Sequence, residues 1–284
     1  MISPQFTCIV VSHNKPDHVT EALASLAGQT FDDWEAIVFD SGALFDQSFF
    51  KGLRIATDPR FRVIRSWETT EIRQTRTMAS WCFNECFRKK LVRGRFVTYL
   101  CDDDLLAPGA FEAFHRYIAE HPATMAMYGS VDMTLINARG ERIFLWENAA
   151  RDVKGRCCRG GALDGHVDYL QLCHHIDVLK IFPGDEYWSE DQKDVRHADG
   201  IFLEQIGSHF PICPVPAKIG ENRKVPSSLN DGGERLLLLE ALGRKAEADR
   251  QLRKRWGIVG RALIRSGIAD WYRCGAVDRS ARVS

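Results

Sequence analysis

The chain has 284 residues, 45% hydrophobic and 27% charged, which is a globular composition with enough length for one large or two small domains. Its formal net charge is zero, which argues against a general nucleic-acid-binding protein, and no run of about 18 apolar residues predicts a transmembrane helix. Nine scattered cysteines, an odd number without a framework, predict reduced thiols in a cytoplasmic protein.

The N-terminal part of the chain predicts a strand, a helix and a second strand. Phe6–Val11 and Trp34–Phe39 are continuous apolar runs with β-branched and aromatic residues, which is typical of buried strands. Between them, residues 19–26 place apolar side chains at the i, i+3, i+4, i+7 spacing of an amphipathic helix. A strand–helix–strand unit implies a parallel sheet, and ligands of such sheets bind beyond the carboxyl ends of the strands.

Polar residues follow three of the predicted strands. Ser12–Asn14 follow the first strand, Asp40–Gly42 the second, and Asp102–Asp104 a third apolar run, Arg95–Leu100. Carboxyl ends of parallel strands share one edge of a sheet, so we expect these residues to converge. Three adjacent carboxylates repel each other, and a hard divalent cation would resolve the conflict. The alternative is a solvated acidic turn whose last residue, or a neighbour, caps the next helix.

Further elements are predicted on both sides of this acidic run. In the first half we expect a short strand, two helices and another short strand, at Arg62–Arg65, Met78–Leu91, Gly109–Glu120 and Met125–Gly129. An antiparallel pair joined by the turn 137–140 follows, formed by Val131–Ile136 and Arg142–Trp146.

The next part of the chain predicts a mixed arrangement. In order, we expect a strand, a short helix, an amphipathic helix and an edge strand or extended segment, at Val167–Leu172, His174–Leu179, Gly200–Ile206 and Phe210–Pro216. For residues 231–284 we predict a C-terminal helical extension, which is rich in arginine. This extension would pack on the body of the protein, contact the inner face of a membrane peripherally, or form a homodimer.

The residues alone fit chemistry on a donor diphosphate. A divalent ion held by Asp102 and Asp103 would neutralise a leaving diphosphate, and Asp40 could accept a hydrogen bond from a nucleobase. Either Arg73 or Arg76 could contact the base or the phosphates. An acceptor hydroxyl needs a general base, for which Asp199 is the candidate; its alternative role is to cap the helix that follows.

Four motifs, in their order along the chain, resemble those of a family-2 glycosyltransferase of the GT-A fold. They are Cys8–Pro16, Leu23–Thr30, Ile37–Gly42 and Gly94–Asp104. The resemblance covers roughly residues 5–220, and within the family it is strongest to the spore-coat polysaccharide glycosyltransferase. It implies an α/β fold with a Rossmann-like, mostly parallel sheet flanked by helices and a mixed or antiparallel acceptor-side half. The implied GT-A domain spans residues 1–230, with a nucleotide-binding half at 1–129 and an acceptor-binding half at 130–230.

The resemblance also implies a role for each matching residue. On the donor side it implies that Asp40 binds the nucleobase, Asp102 the ribose and Asp103 the metal, with Ser12 and Asn14 at the nucleotide edge. Arg76, with Arg73 as the alternative, matches a basic residue near the nucleotide. Asp199 matches the catalytic base and Asp168 a carboxylate near the sugars, while His197 and Trp188 would lie on the acceptor side. Two departures are Cys101, where many members carry an aspartate, and Ser41, where a second aspartate is frequent.

The implied activity is inverting, metal-dependent glycosyl transfer. The sugar would move from a UDP- or dTDP-linked donor to a hydroxyl of a glycan, lipid or small molecule, in polysaccharide, glycolipid or natural-product assembly. Mn²⁺ or Mg²⁺ would be the cofactor. One alternative is a nucleotidyltransferase, although the turn Ser12–Pro16 lacks the glycines of a phosphate loop. The other is a nucleotide-sugar-binding module without catalysis.

Overall fold

The computed structural model describes residues 3–42, 48–65, 75–136, 142–150, 167–195 and 197–225. Several predicted features lie outside these residues: Arg73, the turn at 137–140 and the C-terminal helices at 231–284. The contacts of the chain divide it into two compact units, of which the first comprises residues 1–132 and 147–222. All candidate site residues with a described position belong to this first unit.

Four parallel strands form one half of the sheet. They are β1 (Phe6–Ser12), β2 (Trp34–Asp40), β3 (Phe61–Arg65) and β4 (Phe96–Cys101), and they lie side by side in the order β3-β2-β1-β4. Every residue of β1 and β2 is buried, as expected for strands covered on both faces. The predicted parallel half of the sheet is therefore confirmed.

Helices flank this half of the sheet. They are α1 (Pro16–Ala27), the short α2 (Ser48–Lys51), α3 (Met78–Arg88), α4 (Ala110–Glu120) and α5 (Ala198–His209). Pro16 starts α1, where its fixed φ suits the first turn and its missing N–H leaves no bond unmade. The buried residues of α1 are the four of the predicted apolar stripe, Val19, Ala22, Leu23 and Leu26.

The second half of the sheet is antiparallel where the pairing is defined. It contains β5 (Leu105–Leu106), β6 (Ala126–Ile136), β7 (Arg142–Asn148), β8 (Leu172–His175) and β9 (Ile212–Lys224). The order continues β4-β8-β6-β9-β5, with β7 paired to β6. The β4–β8, β6–β8 and β5–β9 pairs are antiparallel, so the predicted mixed half is confirmed.

Three predictions about element boundaries are wrong. The strands predicted at 125–129 and 131–136 are one continuous strand, β6. Residues 167–172 do not form a strand, because the Asp168 side chain accepts a hydrogen bond from the Leu170 N–H and caps a 3₁₀-helix at Tyr169–Gln171. His174 and His175 lie in β8 rather than in a helix, since His174 pairs in register with both Val97 and Ala126; the 3₁₀-helix begins at Ile176.

The segment with Pro214 and Pro216 is extended, as predicted, and belongs to a longer strand. It forms the first part of β9, which lies between β6 and β5. Prolines cannot donate to a ladder, but β5 pairs only with Gly220 and Glu221, beyond both prolines. The strand can therefore be interior although it carries two prolines.

The described cysteines differ in their bonding. Cys8, Cys82, Cys86, Cys101 and Cys173 are free, whereas Cys213 is disulfide-bonded. The prediction of reduced thiols is thus wrong for Cys213, and the cytoplasmic location stays a prediction. None of the helices in the described part of the chain has the length and hydropathy needed to span a bilayer.

Candidate active site

The polar strand ends meet at one edge of the sheet. In the parallel register Ser12 lies opposite Asp40, and Val11 lies opposite Cys101, directly before the acidic turn. β1 therefore separates the Asp40 side of the edge from the Asp102–Asp104 side. This convergence was predicted from the order of the strands.

The turn after β1 is fixed by polar contacts with both neighbours. The His13 N–H donates to Asp102 (N···Oδ2 2.6 Å). The Ser41 carbonyl can only accept, so His13 Nδ1 donates to it at 3.1 Å while Nε2 accepts from the Asn14 amide at 2.7 Å. A Cβ on Gly42 would lie 2.5 Å from Asn14 Oδ1, so only glycine allows the second turn to approach the first this closely. Of the two predicted nucleotide residues, Ser12 ends β1 and Asn14 lies in this turn.

Asp40 is fully buried at the end of β2. Its carboxylate accepts from the Gly42 N–H at 3.1 Å and lies 3.1 Å from Arg65 Nε. Burial raises the pKa of Asp40, and the Gly42 N–H and the Arg65 guanidinium oppose this rise. The arginine anchors the carboxylate from β3, a contact that the sequence analysis did not identify.

The acidic turn pairs with a lysine that sequence reasoning missed as a site residue. Lys15 Nζ lies 3.0 Å from Asp102 Oδ1 and 2.6 Å from Asp103 Oδ2. Burial alone would lower the pKa of Lys15, but the two carboxylates outweigh it and the pKa is raised. Burial raises the pKa of Asp102, opposed by Lys15 and reinforced by the charge of Asp103. The sequence held one signal for this contact. Lys15 lies in the turn after β1, and the turns that follow neighbouring parallel strands lie at the same edge of the sheet.

Three side chains of the β4 end can hold a metal ion. One ligand atom each from Cys101, Asp103 and Asp104 lie within 4.8 Å of one another. Burial and the adjacent carboxylates raise the pKa of the Cys101 thiol, and the other two members of the set are carboxylates. Oxygen donors of this kind fit Mg²⁺ or Mn²⁺. Asp102 is not in this set, and Asp104 is not a helix cap, because α4 begins after Gly109.

Tyr169 connects the acidic turn with the carboxylates predicted for the sugar side. Its hydroxyl oxygen lies 2.5 Å from Cys101 Sγ. Burial raises the pKa of Tyr169 well above its ordinary value, and the charges of Asp168, Asp104 and Asp199 raise it further. Asp168 lies near the acidic turn, because it accepts from Asn222, which follows the residue that pairs with Leu105. Tyr169, in contact with Cys101, is a second residue of this region that sequence reasoning missed.

The two sugar-side carboxylates differ in how they are held. Asp168 accepts from the Leu170 N–H at 2.9 Å and from the Asn222 amide at 3.1 Å. Asp199 lies in the first turn of α5 and is half-buried. The N-cap of α5 is His197, so the alternative role of Asp199 as the cap is wrong.

Three remaining candidates have different surroundings. The side chain of Arg76 is 47% exposed and forms an ion pair with Glu190, which also pairs with Arg88 at 2.7 Å. His197 is exposed at the start of α5. Trp188 is only 1% exposed; its ring stacks on Phe202 with centroids 3.9 Å apart, so the structure does not place it on a surface open to an acceptor.

Comparisons with known proteins agree on the type of domain. A model described as glycosyl transferase family 2 matches residues 7–157. Protein CgeD of Bacillus subtilis (strain 168) is 25% identical over 229 residues, which are 78% of this chain and 51% of that protein. The chain therefore spans about half the length of this curated relative.

Solved structures are similar in fold. S. aureus TarS 1–349 in complex with UDP-GlcNAc aligns with a TM-score of 0.58 and 19% identity, covering 86% of this chain and 69% of that chain. The mannosyltransferase PcManGT from Pyrobaculum calidifontis, in complex with GDP-Man and Mn²⁺, aligns with a TM-score of 0.52 and 14% identity, covering 100% and 77%. At these identities the similarity shows the fold alone, and it confirms the predicted GT-A fold.

Proposed function

This chain belongs to glycosyl transferase family 2, whose model matches more than half of it, and we propose that it is an inverting, metal-dependent transferase acting on a nucleoside-diphosphate sugar. One observation carries the proposal: ligand atoms of Cys101, Asp103 and Asp104 lie within 4.8 Å of one another at the carboxyl edge of the parallel strands. A metal-binding strand end and a carboxylate on a separate helix are the two parts that glycosyl transfer needs in one place.

The donor would bind along the strand ends, with its base at Asp40 and its ribose at Asp102. Asp40 is fully buried at the end of β2, and Arg65 fixes the position of its carboxylate. Ser12 ends β1 beside it, Asn14 lies in the turn that follows, and Arg76, whose side chain is 47% exposed, would contact a phosphate. We propose a UDP- or dTDP-linked donor, whose uracil or thymine ring N–H would donate to Asp40. TarS, which shares the fold, has been seen with UDP-GlcNAc.

Asp103 and Asp104 would hold the divalent ion, either Mn²⁺ or Mg²⁺. When bound, such an ion neutralises the charge that develops on a leaving diphosphate. The sequence alone favoured Asp102 with Asp103 as ligands. We prefer Asp104 as the second one, because its ligand atom clusters with that of Asp103.

Asp199 would act as the general base toward the acceptor. As the acceptor oxygen forms a bond to the anomeric carbon, its proton passes to the Asp199 carboxylate. The bond from that carbon to the diphosphate oxygen breaks on the opposite face, and the electron pair leaves with the diphosphate. Attack from the face opposite the leaving group inverts the anomeric centre. His197 at the exposed start of α5 and Asp168 beside Tyr169 would contact the acceptor or the donor sugar.

A glycan, a lipid or a small molecule can supply the acceptor hydroxyl. We propose that the product belongs to polysaccharide, glycolipid or natural-product assembly. Contact with a membrane or a second subunit through residues 231–284 stays a prediction.

A thermal-shift panel tests the donor site. UDP, dTDP and GDP are each added at saturating concentration, with Mn²⁺, with Mg²⁺ or with a chelator. We expect UDP or dTDP to raise the melting temperature by several degrees only when a divalent ion is present, since ligands that bind the native state stabilise it. A shift with GDP alone, or an equal shift in the chelator, would contradict the proposal.

A further inference from the structure

Lys15 lies against two carboxylates of the acidic turn, on the proposed donor side of the site. Its amino group bridges Asp102 and Asp103 at 3.0 and 2.6 Å, and its side chain is 15% exposed. Asp102 and Asp103 are themselves 3% and 7% exposed. Two buried carboxylates on adjacent residues are unstable without a counter-charge, and in this arrangement Lys15 supplies it.

The same carboxylate is a ligand in the candidate metal set. Asp103 belongs to the set formed with Cys101 and Asp104, whose ligand atoms lie within 4.8 Å. A divalent ion at this set would therefore share Asp103 with an ammonium group 2.6 Å from one of its oxygens. Positive charges this close repel strongly in a partly buried site. Repulsion between Lys15 and the ion therefore weakens the interaction of each with Asp103.

The backbone of Lys15 is fixed while its side chain can move. Lys15 is the N-cap residue of α1, and its carbonyl oxygen accepts from the Val19 N–H at 2.9 Å. Beyond that anchor, the lysine has a compact charge on a flexible four-carbon stem, unlike the rigid fork of arginine. The ammonium can leave Asp103 without disturbing the helix.

We propose that Lys15 and the divalent ion exclude each other at Asp103, and that the displaced ammonium pairs with the diphosphate of the incoming donor. This inference rests on the proposed function. Lys15 then neutralises the acidic turn before the donor arrives, and its ammonium group pairs with the negative diphosphate once the donor is bound. The exchange makes binding of the metal alone weak and binding of metal with donor strong.

Calorimetric titration with Mn²⁺ alone tests the exclusion. The wild type is compared with Lys15→Met, which keeps the stem and removes the charge, and with Lys180→Met as the control. Lys180 is 76% exposed and pairs with Asp177, far along the chain from the acidic turn. We expect Lys15→Met to bind Mn²⁺ at least about tenfold more tightly than the wild type and Lys180→Met to match the wild type. Equal affinity in Lys15→Met and the wild type would overturn the exclusion.

Labelling of lysines in the wild-type protein gives a second test that needs no variant. An amine-reactive reagent is applied, and the modification of Lys15 relative to Lys180 is measured by mass spectrometry. We expect low reactivity of Lys15 in the free protein, a severalfold rise with Mn²⁺ alone, and a fall when UDP is added with Mn²⁺. Unchanged reactivity with Mn²⁺ would overturn the exclusion, and reactivity that stays high with UDP would overturn the transfer to the diphosphate. The Mn²⁺ arms need no nucleotide, so they remain readable if the thermal-shift panel fails.

Discussion

Cys101 Sγ lies 2.5 Å from the hydroxyl oxygen of Tyr169. Cys101 ends β4, where the donor-side carboxylates begin, and Tyr169 starts the 3₁₀-helix that Asp168 caps. This contact therefore joins the two sets of carboxylates that the proposed reaction uses. An aspartate in place of Cys101, as many family members carry, would put another charge beside this hydroxyl.

Tyr169→Phe tests what the contact contributes to stability. The substitution removes the hydroxyl and keeps the ring, which packs edge-on against Phe83 with centroids 5.6 Å apart. We expect a loss of about 1 kcal/mol, which lowers the melting temperature by about 2 °C. Tyr117→Phe on α4 serves as the control. An unchanged melting temperature in Tyr169→Phe would show that the contact contributes nothing to stability.

Asp103→Asn and Asp102→Asn distinguish the metal ligand from its neighbour. Asp103 belongs to the candidate ligand set, whereas Asp102 is engaged by the His13 N–H and Lys15. We expect Asp103→Asn to weaken Mn²⁺ binding in the presence of UDP at least about tenfold, because an amide oxygen is a poor replacement for a charged ligand. Asp102→Asn should weaken it much less. The opposite order, measured by calorimetry, would return Asp102 to the ligand set.

Asp40→Asn tests recognition of the base. A hydrogen bond to a charged acceptor is worth about 1.5–3 kcal/mol, so losing the charge should weaken UDP binding by about tenfold or more. Asp58→Asn is a matched control, because Asp58 also pairs with an arginine, Arg60, at 2.8 Å. Fluorescence or calorimetric titration gives both affinities. Equal UDP affinity in Asp40→Asn and the wild type would remove Asp40 from the base site.

We predict that His174 makes the stability of the fold depend on pH. It is fully buried, its Nδ1 lies 3.0 Å from the His175 carbonyl oxygen, and its Nε2 accepts from Tyr99 at 2.7 Å. Burial lowers the pKa of His174 from 6.5 to about 4. The unfolded chain therefore takes up a proton below pH 6.5 that the folded chain refuses until about pH 4, so stability falls as the pH falls through this window. The full loss from this residue is about 3 kcal/mol.

Urea unfolding at several pH values between 7.5 and 4.5 measures this dependence. We expect the slope of unfolding free energy against pH to decrease in His174→Gln, whatever its stability at neutral pH. The control is His209→Gln, at an exposed position near the end of α5. If His174→Gln keeps the wild-type slope, another group causes the acid sensitivity.

Much of the donor side could be predicted because it depends on local pattern. Apolar runs and helical spacing define β1, α1 and β2, and the parallel order of strands then brings Asp40 and the acidic turn to one edge. Neither step needs knowledge of distant contacts. The motifs that resemble the family lie in these same locally determined elements.

The missed features depend on pairs of residues that are far apart in the chain. Lys15 meets Asp103 across 88 positions, and Tyr169 meets Cys101 across 68. At two positions the local sequence fits one structure and the fold contains another. Asp168 lies in an apolar run that fits a strand but caps a 3₁₀-helix. His174 fits the start of a helix but lies in β8, where it pairs with both neighbouring strands. Such outcomes are set by tertiary packing, which periodicity does not report.

The most direct test of the central claim compares Asp199→Asn with the wild type. Release of UDP from a panel of UDP-sugars is measured with Mn²⁺, and donor affinity is measured on the same preparations. We expect the wild type to release UDP, by transfer to an added acceptor or slowly to water, and Asp199→Asn to do so at least about 100-fold more slowly with unchanged donor affinity. Equal rates in both proteins, or a wild type that binds UDP-sugars and never releases UDP, would contradict the account and favour a binding module without catalysis.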